Sequence, residues 1–298
     1  MNSKQLRYFH EVARQKSFSK AAEILHIAQP AISMSIQKLE SELDLKLFHR
    51  NDRKIRLTDE GERLFKHAEI ILQNLADAEL EMRELKGLTQ GCVRIGIPGM
   101  LGSYYFPPIL MAFKHRYPEL SLEVIEAGTW KLQQMVEQGE LDLGVIVSEF
   151  VPDTLHTEIF LRQQMLVTVG KDHAFATQQS VTYTDFFAEE LVMFKDGYFH
   201  RKIVDRLANQ IGAKPHIGFE TNLIPLIKSI VKQGFGISTL LGMVIEKDDD
   251  LIALPFSQPV WLDLSIAWNK DRHLSQANRA FVNFMLDHRS SQNTKQVL

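Results

Sequence analysis

Apolar positions near the start of the chain fall on helical spacing. Leu6, Phe9 and Ala13 form one row, Phe18, Ala22 and Leu25 a second, and Ile32, Ile36, Leu39 and Leu43 a third. Ser19 is placed to cap the second helix, and Pro30 suits the first turn of the third, where its missing N–H is no loss. Only His26, Ile27, Ala28 and Gln29 separate those two helices. Two short helices joined so tightly form a helix-turn-helix, whose second helix enters a major groove. Leu47-Phe48-His49-Arg50 and Ile55-Arg56-Leu57 flank the polar run Asn51-Asp52-Arg53-Lys54 and read as a β-hairpin wing. The bland alternative is a small helical domain with a solvated basic edge.

Beyond Thr58 the pattern changes. Gly61 and Gly87 are the only Gly or Pro residues up to Leu88, and Leu64, Ala68, Ile71, Leu75, Ala78, Met82 and Leu85 alternate steps of four and three. A strict seven-residue seam predicts a long helix at 59–88 that pairs with another copy, or else docks on its own protein. Gly87 and Gly91 then end the helix and open a joint. From 91 to 298 strand and helix patterns alternate: strands at 93–97, 122–126, 141–147, 165–169, 191–194, 217–220 and 236–240, helices at 103–116, 130–138, 199–211 and 225–233. That alternation indicates a doubly wound α/β body, long enough for two lobes.

Charge sharpens the division. Residues 1–58 hold 11 of the 34 basic and 6 of the 37 acidic residues, a surplus of five positive charges. The remaining 23 basic and 31 acidic residues leave the body at −8, so only the head is built to meet a polyanion. No run approaches the ~20 apolar residues of a membrane span. The start lacks an apolar core and a cleavage site, so a cytoplasmic protein is expected. The single cysteine, Cys92, excludes a thiol-pair switch and is expected to be buried.

The runs Ser17-Phe18-Ser19-Lys20-Ala21-Ala22, Gln29-Pro30-Ala31-Ile32-Ser33, Leu39-Glu40, Leu47-Phe48-His49-Arg50 and Leu57-Thr58-Asp59-Glu60-Gly61 together resemble the winged helix-turn-helix head of the LysR-type transcriptional regulators. In the body, Arg116-Tyr117-Pro118-Glu119, Leu141-Asp142-Leu143-Gly144-Val145 and Gly234-Phe235-Gly236-Ile237-Ser238 extend the resemblance. It implies that Gln29, Pro30 and Ser33 open the recognition helix against promoter DNA, with Met34 and Lys38 on the same helix. Gln29 can pair bidentately with adenine. Members often carry Arg where this chain has Met34, which can at most touch a thymine methyl. Ser17, Lys20, Arg50, Arg53 and Lys54 become phosphate contacts, which position rather than specify.

The resemblance further implies an antiparallel linker-helix dimer, with dimer and tetramer both open, and an effector module similar to periplasmic solute-binding proteins. The expected layout is a DNA-binding domain at 1–58, a linker helix at 59–88 and an effector domain at 91–298. Its lobe I comprises 91–162 and 265–298, and its lobe II 163–264. Ligands of open α/β sheets sit beyond strand C-termini, at helix N-termini. Four junctions qualify: Gly99-Met100 with Gly102-Ser103, Thr129, Phe199-His200 and Thr221-Asn222. The expected effector is a small organic anion, with His200 either its cationic partner or simply a surface histidine. The alternative is that Ser103, Thr129 and Asn222 merely cap helices.

No cofactor or metal is expected, because His67, His115, His173 and His216 lack ligand spacing. An enzyme is disfavoured by the absence of a Gly-x-Ser-x-Gly elbow, a dinucleotide fingerprint or a P-loop. A body that only assembles and senses nothing remains open. The expected mechanism is an effector-driven change of shape that alters DNA bending and the access of RNA polymerase.

Overall fold

The structure is a computed structural model that describes residues 1–49, 55–84, 91–149, 151–246 and 248–293. It divides into two compact units, Met1–Gly87 and Leu88–Leu298.

In the first unit, α1 (Ser3–Gln15) opens with a capping box in which Asn2 and Gln5 exchange side-chain-to-backbone hydrogen bonds. Helix α2 (Phe18–Leu25) follows, then α3 (Gln29–Leu43). The cap of α2 is Ser17, whose hydroxyl accepts the Lys20 N–H at 3.3 Å, not Ser19, which lies inside the helix. The helix starts earlier than expected because Phe18 packs inward beside Phe48 at 5.9 Å. The wing consists of β1 (Phe48–His49) and β2 (Arg56–Leu57), antiparallel with Phe48 opposite Leu57. Its tip, including Arg50, Arg53 and Lys54, lies outside the described residues.

The Leu57-Thr58-Asp59-Glu60-Gly61 run has a mechanical explanation. The Thr58 hydroxyl donates to the Lys46 carbonyl at 2.6 Å and accepts the Gly61 N–H at 3.0 Å, starting α4 (Asp59–Glu84). Gly61 must be glycine, since a Cβ there would sit 2.2 Å from the Leu47 carbonyl oxygen. The core of this unit gathers Leu6, Phe9, Val12, Ala21, Ile32, Ile36, Leu39, Leu47 and Phe48, with Ala68 of α4 fully buried among them.

The second unit begins with β3 (Gly91–Ile97), α5 (Gly99–Tyr104), α6 (Phe106–Arg116), β4 (Leu120–Glu126), α7 (Thr129–Gln138) and β5 (Leu143–Val147). Then come β6 (Leu155–Gly170), α8 (Tyr183–Ala188), β7 (Glu190–Met193), α9 (Phe199–Ile211) and β8 (His216–Glu220). The chain ends with α10 (Ile224–Lys232), β9 (Ser238–Leu241), α11 (Gly242–Ile245), β10 (Leu251–Asn269) and α12 (Gln276–Asn293). Six strands form one sheet in the order β4-β3-β5-β10-β6-β9, while β7 and β8 form a parallel pair. Strands β6 and β10 are antiparallel over nearly their full lengths, from Leu155 opposite Asn269 to Gly170 opposite Leu251. β10 also pairs with β5 near Ile266, and β6 with β9 near Val167, so this long pair ties the β3–β5 half to the β7–β9 half.

Three local expectations change. The helix expected at 103–116 is two helices, broken at Tyr105. Pro107 and Pro108 have no N–H to donate and are tolerated only in a first turn, so a new helix must start beside them. Strand β10 was not expected as a strand at all, because Pro255 and Pro259 interrupt its pattern. The pairing accommodates them with a register shift between Pro255 and Val260. Cys92 is exposed rather than buried, since it occupies an outward position of β3 between half-buried Gly91 and buried Val93.

Candidate DNA interface and effector cleft

On α3 two faces do different work. Ile32, Ile36 and Leu39 are completely buried, whereas Gln29, Pro30, Met34 and Lys38 are exposed and Ser33 is half-buried. Ala28 at the N-cap has no side-chain oxygen, Pro30 has no N–H and the Ala31 N–H donates to the Ala28 carbonyl at 3.0 Å, which leaves the Gln29 N–H as the first-turn donor available to a phosphate. Lys20 is exposed on α2, and Ser17 is half-buried because it caps that helix. The exposed His49 and Arg56 flank the wing tip.

Along α4 the seven-residue seam divides. Ala68 is buried in the core of the first unit and Leu64 packs partly against it, so these two dock on the chain's own helices. Ile71, Leu75 and Met82 are 41%, 37% and 54% exposed, and Ala78 is exposed as well. Leu85 lies outside the described residues. The two alternatives for the seam thus apply to different turns of one helix.

In the second unit two cavities meet between the halves of the body. An inner chamber of about 40 Å³ is lined by Pro98, Gly99, Met100 and Leu101 from the start of α5, Thr129, Phe194, His200, Asn222 and Ile224, and Leu262 and Leu264 of β10. An outer groove of about 320 Å³ is lined by Trp130, Gln133, Glu149, Asp196, Gly197, Arg201, Lys202 and Asp205. Thr129, Val147, Tyr198 and Phe199 line both and form the wall they share.

Cross-contacts hold the two halves together around this wall. The Tyr198 hydroxyl donates to Glu126 Oε1 at 2.9 Å. Burial and that carboxylate push Tyr198 up to about 12, so it remains a donor at neutral pH. Gly128 meets the Gly197 carbonyl so closely that a Cβ would lie 2.4 Å from the oxygen. Arg206 Nη1 bonds Glu149 at 2.8 Å, and Lys202 Nζ lies 5.1 Å from the centre of the Trp130 ring. Arg201 is held by Asp205 at 3.0 Å and by Glu220, which neutralise its charge.

Six of the expected effector residues line the chamber: Gly99, Met100, Thr129, Phe199, His200 and Asn222. Three do not. Ser103 is exposed near the end of the short α5 rather than at a helix start, and Gly102 likewise follows the first turn. The Thr221 hydroxyl accepts the Leu223 N–H at 3.2 Å, a local turn. Capping does not account for Thr129 or Asn222. Thr129 is the first residue of α7, behind an N-cap glycine, and Asn222 Oδ1 accepts the Lys195 N–H at 3.0 Å.

His200 requires the largest correction. It is buried and its ring lies 5.0 Å from Phe194. Burial pushes its pKa down to about 4, which makes it neutral at pH 7 instead of cationic. No Lys, Arg, Asp or Glu is among the described residues that line the chamber. Sequence reasoning missed Trp130, Tyr198, Leu262 and Leu264. Tyr198 stands one residue before the expected helix at 199, a position that was legible, whereas Leu262 and Leu264 belong to the strand that prolines disguised.

Comparison with known proteins agrees with this geometry. Residues 3–62 match the family model described as bacterial regulatory helix-turn-helix protein, lysR family, and residues 86–290 match LysR substrate binding domain. The uncharacterized HTH-type transcriptional regulator YwbI of Bacillus subtilis (strain 168) is 34% identical over 287 residues, covering 95% of each chain. The RuBisCO operon transcriptional regulator of Allochromatium vinosum is 29% identical, covering 95% of each. Among solved structures, a full-length OxyR variant from Pseudomonas aeruginosa superposes with a TM-score of 0.72 at 24% identity, covering 97% of this chain and 94% of that one. Full-length BenM gives 0.60 at 24% identity over 98% of both. The chain belongs to the LysR family of DNA-binding transcriptional regulators, which are not enzymes, and carries that family's head and its two-lobed effector-binding domain.

Proposed function

We propose that this regulator senses a small organic anion bound between lobe I (91–162 and 265–298) and lobe II (163–264), and thereby alters how its paired heads hold promoter DNA. The observation that carries the reading is the shared wall of the two cavities. Helices α7 and α9 both begin there, and neither N-terminus has a capping side chain. Their first-turn N–H groups and the Thr129 hydroxyl offer several donors to one carboxylate, with two helix dipoles favouring negative charge. No charged side chain is needed for this.

Binding across the halves favours whichever arrangement of lobes completes those hydrogen bonds, and shifts the assembly by its difference in affinity between two shapes. DNA bending and polymerase access follow from the spacing of the heads. Such a protein acts in the cytoplasm, where the promoter is. No helix of the described residues is long and apolar enough to cross a membrane.

The test is thermal melting of the full chain against a library of small organic acids. A ligand at a hundred times its dissociation constant adds about 2.7 kcal/mol, a rise of roughly 5–10 °C for a body of this size. Thr129→Val is expected to reduce that rise for carboxylates while leaving the ligand-free melting temperature in place. No response to any acid would leave a body that only assembles.

A further inference from the structure

We propose that the inner chamber receives the uncharged end of the effector and that His200 is the residue that reads it, through a hydrogen bond at Nε2. The inference rests on the cleft reading above and specifies its ligand: a carboxylate whose opposite end carries a neutral hydrogen-bonding group, joined by an apolar spacer.

Size comes first. A chamber of about 40 Å³ admits a substituent of a few heavy atoms, not a whole metabolite. The ligand's body must therefore extend through the shared wall of Thr129, Tyr198 and Phe199 into the larger groove beside Trp130. Charge decides which end enters. The chamber's polar side chains are Thr129, Tyr198, His200 and Asn222; Tyr198 donates its hydroxyl to Glu126, and Asn222 commits its carbonyl oxygen to the backbone. An ionised group pushed past the helix N-termini would lose its water and find no counter-charge, which is far more costly than burying a hydroxyl or amide that finds a partner.

His200 supplies that partner. Its side chain is buried, it lines the chamber, and Nε2, closed to solvent-sized groups in this structure, has no hydrogen-bond partner among the described residues, so a ligand reaches it once the ring turns toward the chamber. Buried polar atoms are overwhelmingly paired, and an unpaired one favours any ligand that completes it. A phenylalanine would fill the same place beside Phe194 without leaving a polar atom unmatched. Histidine here lowers the stability of the ligand-free protein in exchange for selectivity. Its depressed pKa fits the same picture, since a neutral imidazole is what an uncharged ligand group pairs with.

Three probes separate the ideas, titrated calorimetrically into the full chain at neutral pH: para-(hydroxymethyl)phenylacetate, para-tolylacetate and para-carboxyphenylacetate. The first is expected to bind about tenfold tighter than the second, and the diacid more weakly than either. His200→Phe should erase the preference for hydroxymethyl over methyl, and His200→Gln, which keeps a hydrogen-bonding amide, should retain it. Without ligand, His200→Phe should melt at or above the wild-type temperature. Equal binding of the first two probes, tightest binding by the diacid, or a preference unchanged in His200→Phe overturns the role of His200 while leaving the cleft reading in place. If no probe binds at millimolar concentration, the ligand proposed here falls, while the cleft reading stands or falls with the acid library. A lower melting temperature for ligand-free His200→Phe identifies His200 as a structural residue and also overturns the proposal.

Discussion

The DNA-facing surface and the effector cleft solve opposite problems. On α3, the residues proposed to meet DNA and those that hold the fold are different: Gln29, Met34 and Lys38 face outward, while Ile32, Ile36 and Leu39 are sealed in the core. In the cleft the same residues serve both ends. Met100 and His200 are buried parts of the body as well as walls of the chamber. Substitutions on the first surface should therefore change DNA binding alone, whereas substitutions of the buried cleft residues Met100 and His200, unlike half-buried Thr129, should move stability and ligand response together. Helix α4 shows the contrast along its length, with Ala68 enclosed and Ile71, Leu75 and Met82 uncovered.

The sharpest way to break the comparison is on α4. Ala68→Glu places a carboxylate where a methyl group is fully buried, with an expected loss of several kcal/mol, on the order of what an unpaired buried charge costs. The first unit should unfold and DNA binding vanish. Leu75→Glu should leave the melting of that unit within about 0.5 kcal/mol, yet lower the dimer fraction in sedimentation experiments and weaken DNA binding with it. A Leu75→Glu protein that remains dimeric would show that these outer turns are not the pairing surface.

The next largest effect belongs to the cleft and depends on pH. Because His200 has its folded pKa lowered to about 4 from an ordinary value of 6.5, the unfolded chain binds its proton first as pH falls. Stability is thus lost progressively from about pH 6.5 down to pH 4. The shift corresponds to roughly 3 kcal/mol, taken at about 1.36 kcal/mol per unit. His10 in the other unit is also lowered by burial and acts in the same direction, so the body must be followed by itself. All three tryptophans, Trp130, Trp261 and Trp268, lie in the body and report its unfolding. The difference in unfolding free energy between His200→Phe and wild type should widen by that amount over this interval. A constant difference would mean that His200 is protonated in the folded protein.

How legible each region was in the sequence follows from the same contrast. The head's three helices and its wing were readable, because a short helix exposes its periodicity and its turns carry fixed chemistry, such as Thr58 with Gly61. Two boundaries differ: Ser19 was read as the cap in place of Ser17, because two serines flank the inward-packing Phe18, and Gln29 opens α3 instead of ending the turn. The cleft was only half readable. Thr129, Phe199, His200 and Asn222 stand just past strands whose ends the pattern shows. Leu262 and Leu264 reach the chamber from a strand punctuated by Pro255 and Pro259, and nothing local marks them. Nor does composition reveal that His200 is neutral, because that depends on what surrounds it in space. The partition of the α4 seam was hidden for a similar reason: seven-residue spacing does not tell a turn that docks at home from one that awaits a partner.

On the DNA-facing surface, two substitutions of similar exposure should differ in kind. Gln29→Ala removes a side chain able to pair with adenine, with an expected cost of about 1–3 kcal/mol at one base position only. Lys38→Ala should weaken binding to all sequences alike and lower the salt dependence by about one phosphate contact. Selection of binding sites from randomised duplexes, repeated at two salt concentrations, distinguishes them. Identical sequence profiles for both variants would deny Gln29 its base contact.

The smallest effect tests whether the separation of roles on this surface has an exception. Ser17 is expected to contact phosphate, yet its hydroxyl oxygen already accepts the Lys20 N–H as the cap of α2. Ser17→Ala removes the cap, which costs about 1 kcal/mol, and any reduction in DNA binding could come from the helix end alone. Ser17→Asp resolves this, because a carboxylate caps as well as a hydroxyl but repels a phosphate and cannot donate to it. If Ser17 does both jobs, the aspartate variant melts like wild type and binds DNA as poorly as the alanine variant or worse. If it only caps, the aspartate variant recovers both properties. The first outcome is expected, since Ser17 is half-buried by its neighbours and its O–H remains free to donate while the oxygen accepts. That would make Ser17 the one place on the head where, as in the cleft, a single side chain carries both stability and recognition.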